Sequence, residues 1–539
     1  MIRRFLVPLT VAASLLIAAM CAAQTANQPM AVSDKAPSMP ENQPAVVNSL
    51  DAARALMKDG KYMEAASAFR AILDKDPAAM HAHVGLMRSL VRMGKIDDAE
   101  EAGKKALASL PNSPVIHAAF GDVEFRAGKF AEAESEYRAC LKVDDTSARG
   151  LLGMGRLYEM LSLRQHAKQA YTQAHSFDPN DEQIFYHWLE FLPYPERLRE
   201  FKKHAGDHPT DRQEAEIKFL TAVSQKKPWV LAGDVKKAEL KMLPYGRELA
   251  IIDTSNRIGA QHVSKGYGLQ LKFNGRATAT LLLDTGAYGV VIGRGLAEKA
   301  GVVKIADTYF GGLGDSGPVE GYLGWVDKIT IGGLEFHNCI VTVSSKNDIV
   351  DEAGLIGADV FKNFLITLDF KDWKMLLSPL PKNPAFSGSD DDPQDRYIAP
   401  EMQSYARVYE FEDHLFIPTV VSDKASGNFM LDTGSDLNIT NPDIAKQVTK
   451  SSFEGSYLKG VSGSVKEVLN GDKAILQFAK VRVRSDDIPV IDLGSTSKSF
   501  GTEVAGLIGI RTLVQMKMTI DYRDGLVDLT VYEFRKARE

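Results

Sequence analysis

Two segments of this chain, Leu281-Leu282-Leu283-Asp284-Thr285-Gly286-Ala287 and Phe429-Met430-Leu431-Asp432-Thr433-Gly434-Ser435, share one pattern, an apolar strand that ends in Asp-Thr-Gly. A lone Asp-Thr-Gly in a chain of 539 residues is weak evidence. The surroundings repeat as well: Gly354-Leu355-Ile356-Gly357 matches Gly506-Leu507-Ile508-Gly509, and Ile366-Thr367-Leu368-Asp369-Phe370 matches Met518-Thr519-Ile520-Asp521-Tyr522. Asp284 and Asp432 are 148 residues apart, whereas Gly357 to Gly509 and Asp369 to Asp521 both span 152. That regularity predicts one fold used twice, with four extra residues between the motifs of the second copy. Gly-bounded apolar runs at Tyr267–Phe273, Thr278–Leu283, Trp325–Ile331 and Cys339–Val343 make both copies β-rich. The boundaries read as a first lobe at 243–380, a Pro-, Ser- and Asp-rich linker at 381–400, and a second lobe at 401–535.

The N-terminal part has a different period. Gly60, Gly94, Gly128 and Ser162 are each 34 residues apart, as are Ala65, Ala99, Ala133 and Ala167, and so are Pro77, Pro111, Asp145 and Pro179. A turn residue, a small packing residue and a helix stop that recur in phase predict stacked pairs of antiparallel helices. On these residues, and on Asp59-Gly60-Lys61-Tyr62-Met63-Glu64-Ala65-Ala66 with its counterpart Ala127-Gly128-Lys129-Phe130-Ala131-Glu132-Ala133-Glu134, the segment resembles the tetratricopeptide repeat. The resemblance covers 46–180 as about four repeats, and the fourth departs from the pattern at Ser162. It implies a concave surface that binds a peptide or partner protein. Residues 181–242 read as a helical connector broken by Pro193, Pro195 and Pro209.

The Asp-Thr-Gly and apolar-apolar-Gly motifs resemble those of retropepsin-like and pepsin-like aspartic proteases. The expected class is therefore multidomain α + β: an N-terminal α-solenoid of tetratricopeptide repeats, then an all-β, two-lobed retropepsin-like aspartic protease fold. Residue by residue, the resemblance implies Asp284 and Asp432 as the catalytic pair. Thr285 and Thr433 would interlock across the pseudo-dyad, and Gly286 and Gly434 would allow a sharp turn and close approach. Leu355, Ile356 and Gly357, with Leu507, Ile508 and Gly509, would brace the two catalytic loops. Gly311, Gly312 and Gly314, and Gly460 with Gly463, mark candidate flaps, with Tyr309 or Tyr322 as candidate clamps. Whether two lobes of one chain or like lobes of two molecules pair is left open by the sequence.

Two carboxyls are needed because one must take a proton from water while the other gives one to the peptide carbonyl. Held close together they cannot both ionise cheaply, so the pair shares a proton. Only Ser435, and not Ala287, has a hydroxyl after its motif; donation from that hydroxyl to Asp432 would favour ionised Asp432 and leave the proton on Asp284. No cofactor or metal is expected: no zinc-binding His-Glu-x-x-His signature or serine elbow occurs, and the 11 histidines show no ligand spacing.

Met1–Arg4 carries two positive charges, Phe5–Met20 is apolar, and Ala22-Ala23 follow. This predicts a signal peptide over 1–23 and a flexible leader at 24–45, hence an exported, periplasmic or secreted protein, on the membrane only if the signal stays uncleaved or Cys21 is lipidated. With 64 basic against 70 acidic residues the chain lacks the global positive field that would attract nucleic acid. Cys140 and Cys339, in separate domains, read as two buried thiols. The function these signals support is an exported aspartic endopeptidase with a repeat domain for a protein or peptide partner. The alternative is a catalytically inactive, protease-like peptide-binding or scaffold protein.

Overall fold

The computed structural model describes residues 9–10, 49–252, 258–312, 317–345, 353–389, 392–448, 451–460 and 463–532. The expected signal and leader, apart from Leu9 and Thr10, lie outside the described residues, as do Gly314 and the linker pair Asp390-Asp391. The chain divides into two compact units. The first ends at Leu157 and also contains Ala167–Trp188; the second contains Tyr158–His166 and everything from Leu189 onward.

The first unit is a stack of helix pairs: Leu50–Lys58 with Tyr62–Leu73, Met80–Arg92 with Ile96–Ser109, and Pro114–Arg126 with Phe130–Val143, continued by the helices Ala148–Met160, Arg164–Phe177 and Glu182–Glu190. The phased residues explain the pairs. Gly60, Gly94 and Gly128 sit at φ 74°, 74° and 75°, the left-handed region that glycine enters without strain. At each turn the next lysine donates its N–H back five residues, as from Lys61 to Leu56 O at 2.9 Å, which satisfies a carbonyl the helix end leaves open. Ala65, Ala99, Ala133 and Ala167 have no exposed surface, so the two helices of a pair meet at the methyl groups.

Between pairs, an aromatic ring fills the space over a glycine. A Cβ on Gly85 would lie 2.3 Å from the Phe69 ring, and one on Gly153 would lie 2.2 Å from the Tyr137 ring. Tyr137 is fully buried and its hydroxyl donates to Asp122 Oδ1 at 2.8 Å. Tyr137→Ala should empty that space and strand Asp122, which costs about 3–5 kcal/mol; loss of helical signal at a lower temperature in a melt followed by circular dichroism is the expected result.

The second unit is built around the duplicated motifs. In the first lobe, strand Ala277–Asp284 is paired in parallel with Gly354–Gly357, so that Leu282 faces Leu355 and Gly357 faces Asp284. In the second lobe, Ala425–Asp432 pairs in the same way with Gly506–Gly509, bringing Gly509 opposite Asp432. Parallel neighbours cannot be joined by a tight turn, and the long crossovers between them carry the rest of each lobe. Both Asp-bearing strands are buried over their last four residues, which is why they read as unbroken apolar runs and not as alternating ones.

A six-stranded sheet joins the lobes, in the order Ala406–Arg407, Leu526–Val531, Met516–Asp521, Phe364–Asp369, Lys374–Pro379, Ala238–Lys241. At its centre Phe364–Asp369 runs antiparallel to Met516–Asp521, with Thr367 opposite Thr519 and their hydroxyl oxygens 3.1 Å apart. These two residues are 152 apart in sequence, so the pseudo-twofold axis passes between them. The region expected to be a helical connector is helical only through Gln225. Its last part supplies Ala238–Lys241, which gives the sheet an edge strand.

The linker is also more than a spacer. Asp395 accepts the N–H groups of Gln165 and His166 at 2.9 and 3.2 Å, and so caps the helix Arg164–Phe177.

Candidate active site

Each Asp-Thr-Gly forms the turn at the end of its strand, and the two turns meet. Thr285 N–H donates to Thr433 Oγ1 at 3.0 Å and Thr433 N–H to Thr285 Oγ1 at 3.1 Å. The threonine hydroxyls then donate onward, Thr285 to Leu431 O at 2.8 Å and Thr433 to Leu283 O at 2.9 Å. The lobes of one chain therefore pair with each other. Asp284 and Asp432 are 1% and 0% exposed, and their carboxyls lie within hydrogen-bonding reach of one another. Gly434 touches the other lobe's acid: a Cβ there would be 2.3 Å from Asp284 Oδ2.

Inside each loop the backbone orients its own acid. Gly286 N–H donates to Asp284 Oδ1 at 2.8 Å, and Gly434 and Ser435 N–H both donate to Asp432 Oδ1 at 2.9 Å. The Ser435 hydroxyl does not do what its position suggested: it donates to Leu437 O at 2.9 Å, since it sits on a turn that leaves that carbonyl open. The expectation that this hydroxyl donates to Asp432 is therefore corrected, while the Ser435 backbone N–H does donate to that carboxyl. Burial raises Asp284 to about 7. Burial, and then the charge of Asp284, also raise Asp432 well above the usual carboxylate value, and its Oδ2 has no hydrogen-bond partner among the described residues. The pair is therefore held with one proton between its two carboxyls.

The brace residues are buried behind the loops: Leu355, Ile356, Leu507 and Ile508 are at most 2% exposed. Leu355 packs with Leu282, Ala287, Val291, Phe310 and Val319, which ties the first loop to the turn end of the hairpin formed by Val303–Gly312 and Val319–Ile331. Gly357 and Gly509 have to be glycine, because a Cβ would lie 2.5 Å from Ala287 O and 2.3 Å from Leu437 O. The candidate flaps lie on hairpins. Gly311 and Gly312 end the strand Val303–Gly312, which pairs with Val319–Ile331, and Gly460 faces Gly463 across the turn between Ser451–Gly460 and Gly463–Phe478. Of the two candidate clamps, Tyr309 is exposed and Tyr322 partly buried on the neighbouring strand.

Sequence reasoning passed over the residues that lock the loops from behind, and the two lobes differ there. In the second lobe Asp436 and Arg511 form a two-pronged pair at 3.0 and 2.9 Å, and Asn438 Oδ1 accepts Gly509 N–H at 3.0 Å. In the first lobe Gly357 N–H goes to Gly289 O at 2.7 Å, while both oxygens of buried Asp359 take Gly289 N–H at 2.9 and 3.1 Å. Burial and the nearby Asp413 raise Asp359 to about 7. Burial works to raise Asp413 too, but Lys362, 2.6 Å away, and Arg164 outweigh it and hold Asp413 below the usual carboxylate value. The only signal for this in the sequence is that an acidic residue, Asp436, follows the second motif closely, whereas Tyr288 and Gly289 follow the first. Among the described residues no group of three or more His, Cys, Asp and Glu side chains is arranged to hold a metal, and no helix is long and apolar enough to cross a membrane. Cys140 and Cys339 are both buried free thiols.

These features agree with the comparisons to known proteins. The chain contains an aspartyl protease domain, matched over residues 269–360, and tetratricopeptide repeats, matched over residues 50–114. Similar solved structures are tetratricopeptide proteins. The chain is 21% identical to TTC0263, a thermophilic repeat protein of Thermus thermophilus, with a TM-score of 0.29, over 32% of this chain and 96% of that one. It is 16% identical to a repeat protein from Parabacteroides merdae ATCC 43184, with a TM-score of 0.26, over 33% and 75%. It is also 16% identical to pilF of Pseudomonas aeruginosa, with a TM-score of 0.28, over 33% and 83%. No curated protein matches the chain.

The buried acids have two measurable consequences. Asp359→Ala leaves Gly289 N–H buried without an acceptor and should lower stability by about 1–3 kcal/mol in a denaturant titration, whereas Asp359→Asn keeps an acceptor and should cost less than half of that. The second concerns pH. Asp284, Asp359 and Asp521 are raised to about 7, and Glu190 and Glu412 to about 8, all by burial first. Between the ordinary carboxylate range and those values the folded chain binds more protons than the unfolded one, so stability falls as pH rises. The melting temperature should be higher at pH 5 than at pH 8, with the decline running steadily from about pH 5 and levelling off as pH passes the raised values of about 7 to 8.

Proposed function

We propose that the chain is an exported aspartic endopeptidase whose repeat unit binds a protein or peptide. The observation that carries this reading is the reciprocal threonine interlock, which sets the carboxyls of Asp284 and Asp432 against each other. With one proton between them, the ionised carboxyl takes a proton from a water molecule as that water attacks the peptide carbonyl. The protonated carboxyl donates to the carbonyl oxygen, giving a tetrahedral intermediate. When the carbon–nitrogen bond breaks, one carboxyl gives its proton to the leaving nitrogen while the ionised carboxyl takes a hydroxyl proton from the collapsing intermediate, so the dyad again holds one proton. The backbone donors Gly286, Gly434 and Ser435 N–H hold the carboxyls in place through this cycle, and the flap hairpins would cover the substrate. Export is supported by the basic start, apolar run and small residues of the first 23 positions.

The test is incubation of the mature chain with a mixed peptide library between pH 4 and 7, beside Asp284→Asn and Asp432→Asn. Cleavage by the parent chain, reduced at least about 1,000-fold in either variant, is the expected outcome. The rate per chain should not change on dilution, because both acids come from one molecule. Absence of cleavage by all three would leave a protease-like fold that only binds.

A further inference from the structure

Between the repeats and the first lobe stand two helices, Tyr194–Ala205 and Asp211–Gln225, that pack on one another and belong to the unit with the protease lobes. Neither the repeat period nor the duplicated motifs account for them. The second helix packs along Val303–Gly312, a strand of the first-lobe flap hairpin. Burial alternates on that strand: Ala306, Thr308 and Phe310 are buried, whereas Asp307 is exposed and Tyr309 is 62% exposed. Successive side chains of a strand point to opposite faces, and a helix on the Tyr309 face would cover Tyr309. The helix therefore lies on the face of Ala306, Thr308 and Phe310.

That face is turned towards the first Asp-Thr-Gly loop, since Phe310 packs with Ala287, the residue after the motif. Away from this contact, both the loop and the hairpin lead to the helices. On the loop, Tyr288 follows Ala287, and Tyr194, at the start of the first helix, is near enough to the Tyr288 hydroxyl to act on it electrostatically. On the hairpin, Thr308 and Ala306 stand two and four residues back from Phe310, or about 7–13 Å along an extended strand. The helices are anchored there. Lys226, just past the second helix, lies over the Trp325 ring at 5.7 Å, Asn338 Nδ2 donates to Lys227 O at 3.1 Å, and Trp229 N–H donates to Asn338 O at 3.1 Å. The second-lobe hairpin, Ser451–Gly460 with Gly463–Phe478, has no helix packed along it in this way among the described residues.

We propose that these two helices close the substrate groove at its first-lobe end, so that a peptide lying across Asp284 and Asp432 has room for only about two to four residues on that side. The other side, under the second-lobe hairpin, stays open. The substrate class that fits is an unfolded polypeptide with an accessible end, from which short pieces are released by cutting internal bonds near one terminus, the same terminus in every substrate. A segment that continues on both sides meets the helices and is refused by steric clash. The inference rests on the hydrolysis proposed above for the position of the cut, but a closed groove also governs binding, so the two are tested apart.

A mixed peptide library is made in four forms: with free ends, and with a flexible Gly-Ser extension on the N-terminus, on the C-terminus, or on both. The full chain is incubated with each form and the cuts are mapped by mass spectrometry. The full chain carrying Asp284→Asn, in which a bound peptide stays intact, is immobilised, and the peptides it retains are quantified. Cuts should fall about two to four residues from one terminus. Extension of that terminus should lower both cleavage of the original bond and retention by about tenfold or more, and extension of the other terminus should change neither. A benzophenone group on the sensitive terminus should crosslink to residues within 194–225. Cuts spread along the peptides, equal retention of all four forms, or crosslinks only elsewhere would each overturn the closed end, and any cutting would still uphold the hydrolysis. One-ended retention without cutting would keep the closed end and reject the hydrolysis; if nothing is cut and nothing retained, both fall.

Discussion

Four hydrogen bonds across the lobe boundary, two from backbone N–H groups to threonine hydroxyls and two from those hydroxyls to carbonyls, fix where the acids of this protein stand. Each hydroxyl both gives and receives, so neither threonine can be removed without leaving a buried donor and a buried acceptor unpaired. A typical hydrogen bond of this kind adds only about 1 kcal/mol net, but a buried group left without a partner costs more. Two buried carboxyls brought together oppose folding whenever both are charged. The interlock, the parallel strand pairs behind it and the shared sheet beneath it supply the rigidity that holds the acids together despite this.

The lobes reach the same loop geometry by different chemistry. The second uses an arginine–aspartate pair, and charge is balanced within the lobe. The first uses a lone carboxyl on a backbone N–H and places its cation, Lys362, on Asp413 at the start of the second lobe. Asp359, Asp413, Glu410 and Glu412 stand near Lys362 and Arg164, so buried acids outnumber these two bases. The excess is accommodated by protonation, which is why burial drives Asp359 upward while Asp413 stays ionised. The Asp-Thr-Gly loop of the first lobe is thereby tied to the second lobe by ion pairs as well as by the threonines.

Much of this was legible in sequence because the chain repeats itself. The 34-residue phase located the turns at Gly60, Gly94, Gly128 and Ser162 and the buried alanines Ala65, Ala99, Ala133 and Ala167, and the offsets of 148 and 152 located the paired strands and the axis between Thr367 and Thr519. Those signals survive because backbone geometry demands particular residue types: glycine where φ is positive or where a neighbour fills the space of a Cβ, alanine where helices touch, an apolar run where a strand is covered on both sides. What was not legible depends on contacts between residues far apart in the chain with no fixed spacing. Asp359 with Gly289, Lys362 with Asp413 and Asp395 with the helix at Arg164 are of this kind. The Ser435 hydroxyl is the opposite case, a residue whose neighbours in sequence suggested one partner while the turn supplied a nearer one, Leu437 O.

The break in the repeat phase at Ser162 has a physical reason of the same sort. At Gly60, Gly94 and Gly128 the turn is glycine, and at Gly60 and Gly94 nothing lies near where a side chain would be. Ser162 keeps the left-handed backbone, at φ 55°, which costs a residue with a side chain about 1–2 kcal/mol relative to glycine. It is fully buried, within the unit that contains the protease lobes. Its hydroxyl donates to Glu410 at 3.2 Å, its carbonyl accepts Arg396 N–H at 2.9 Å, and two residues on Arg164 pairs with the same Glu410 at 2.8 Å. A glycine there would relieve the backbone but leave one oxygen of a buried carboxylate short of a donor, a loss of comparable or larger size. The repeat pattern therefore yields where its turn is no longer on the surface: the fourth turn is shaped by the charge network around Glu410, and the sequence departs from the period at the residue whose side chain that network requires.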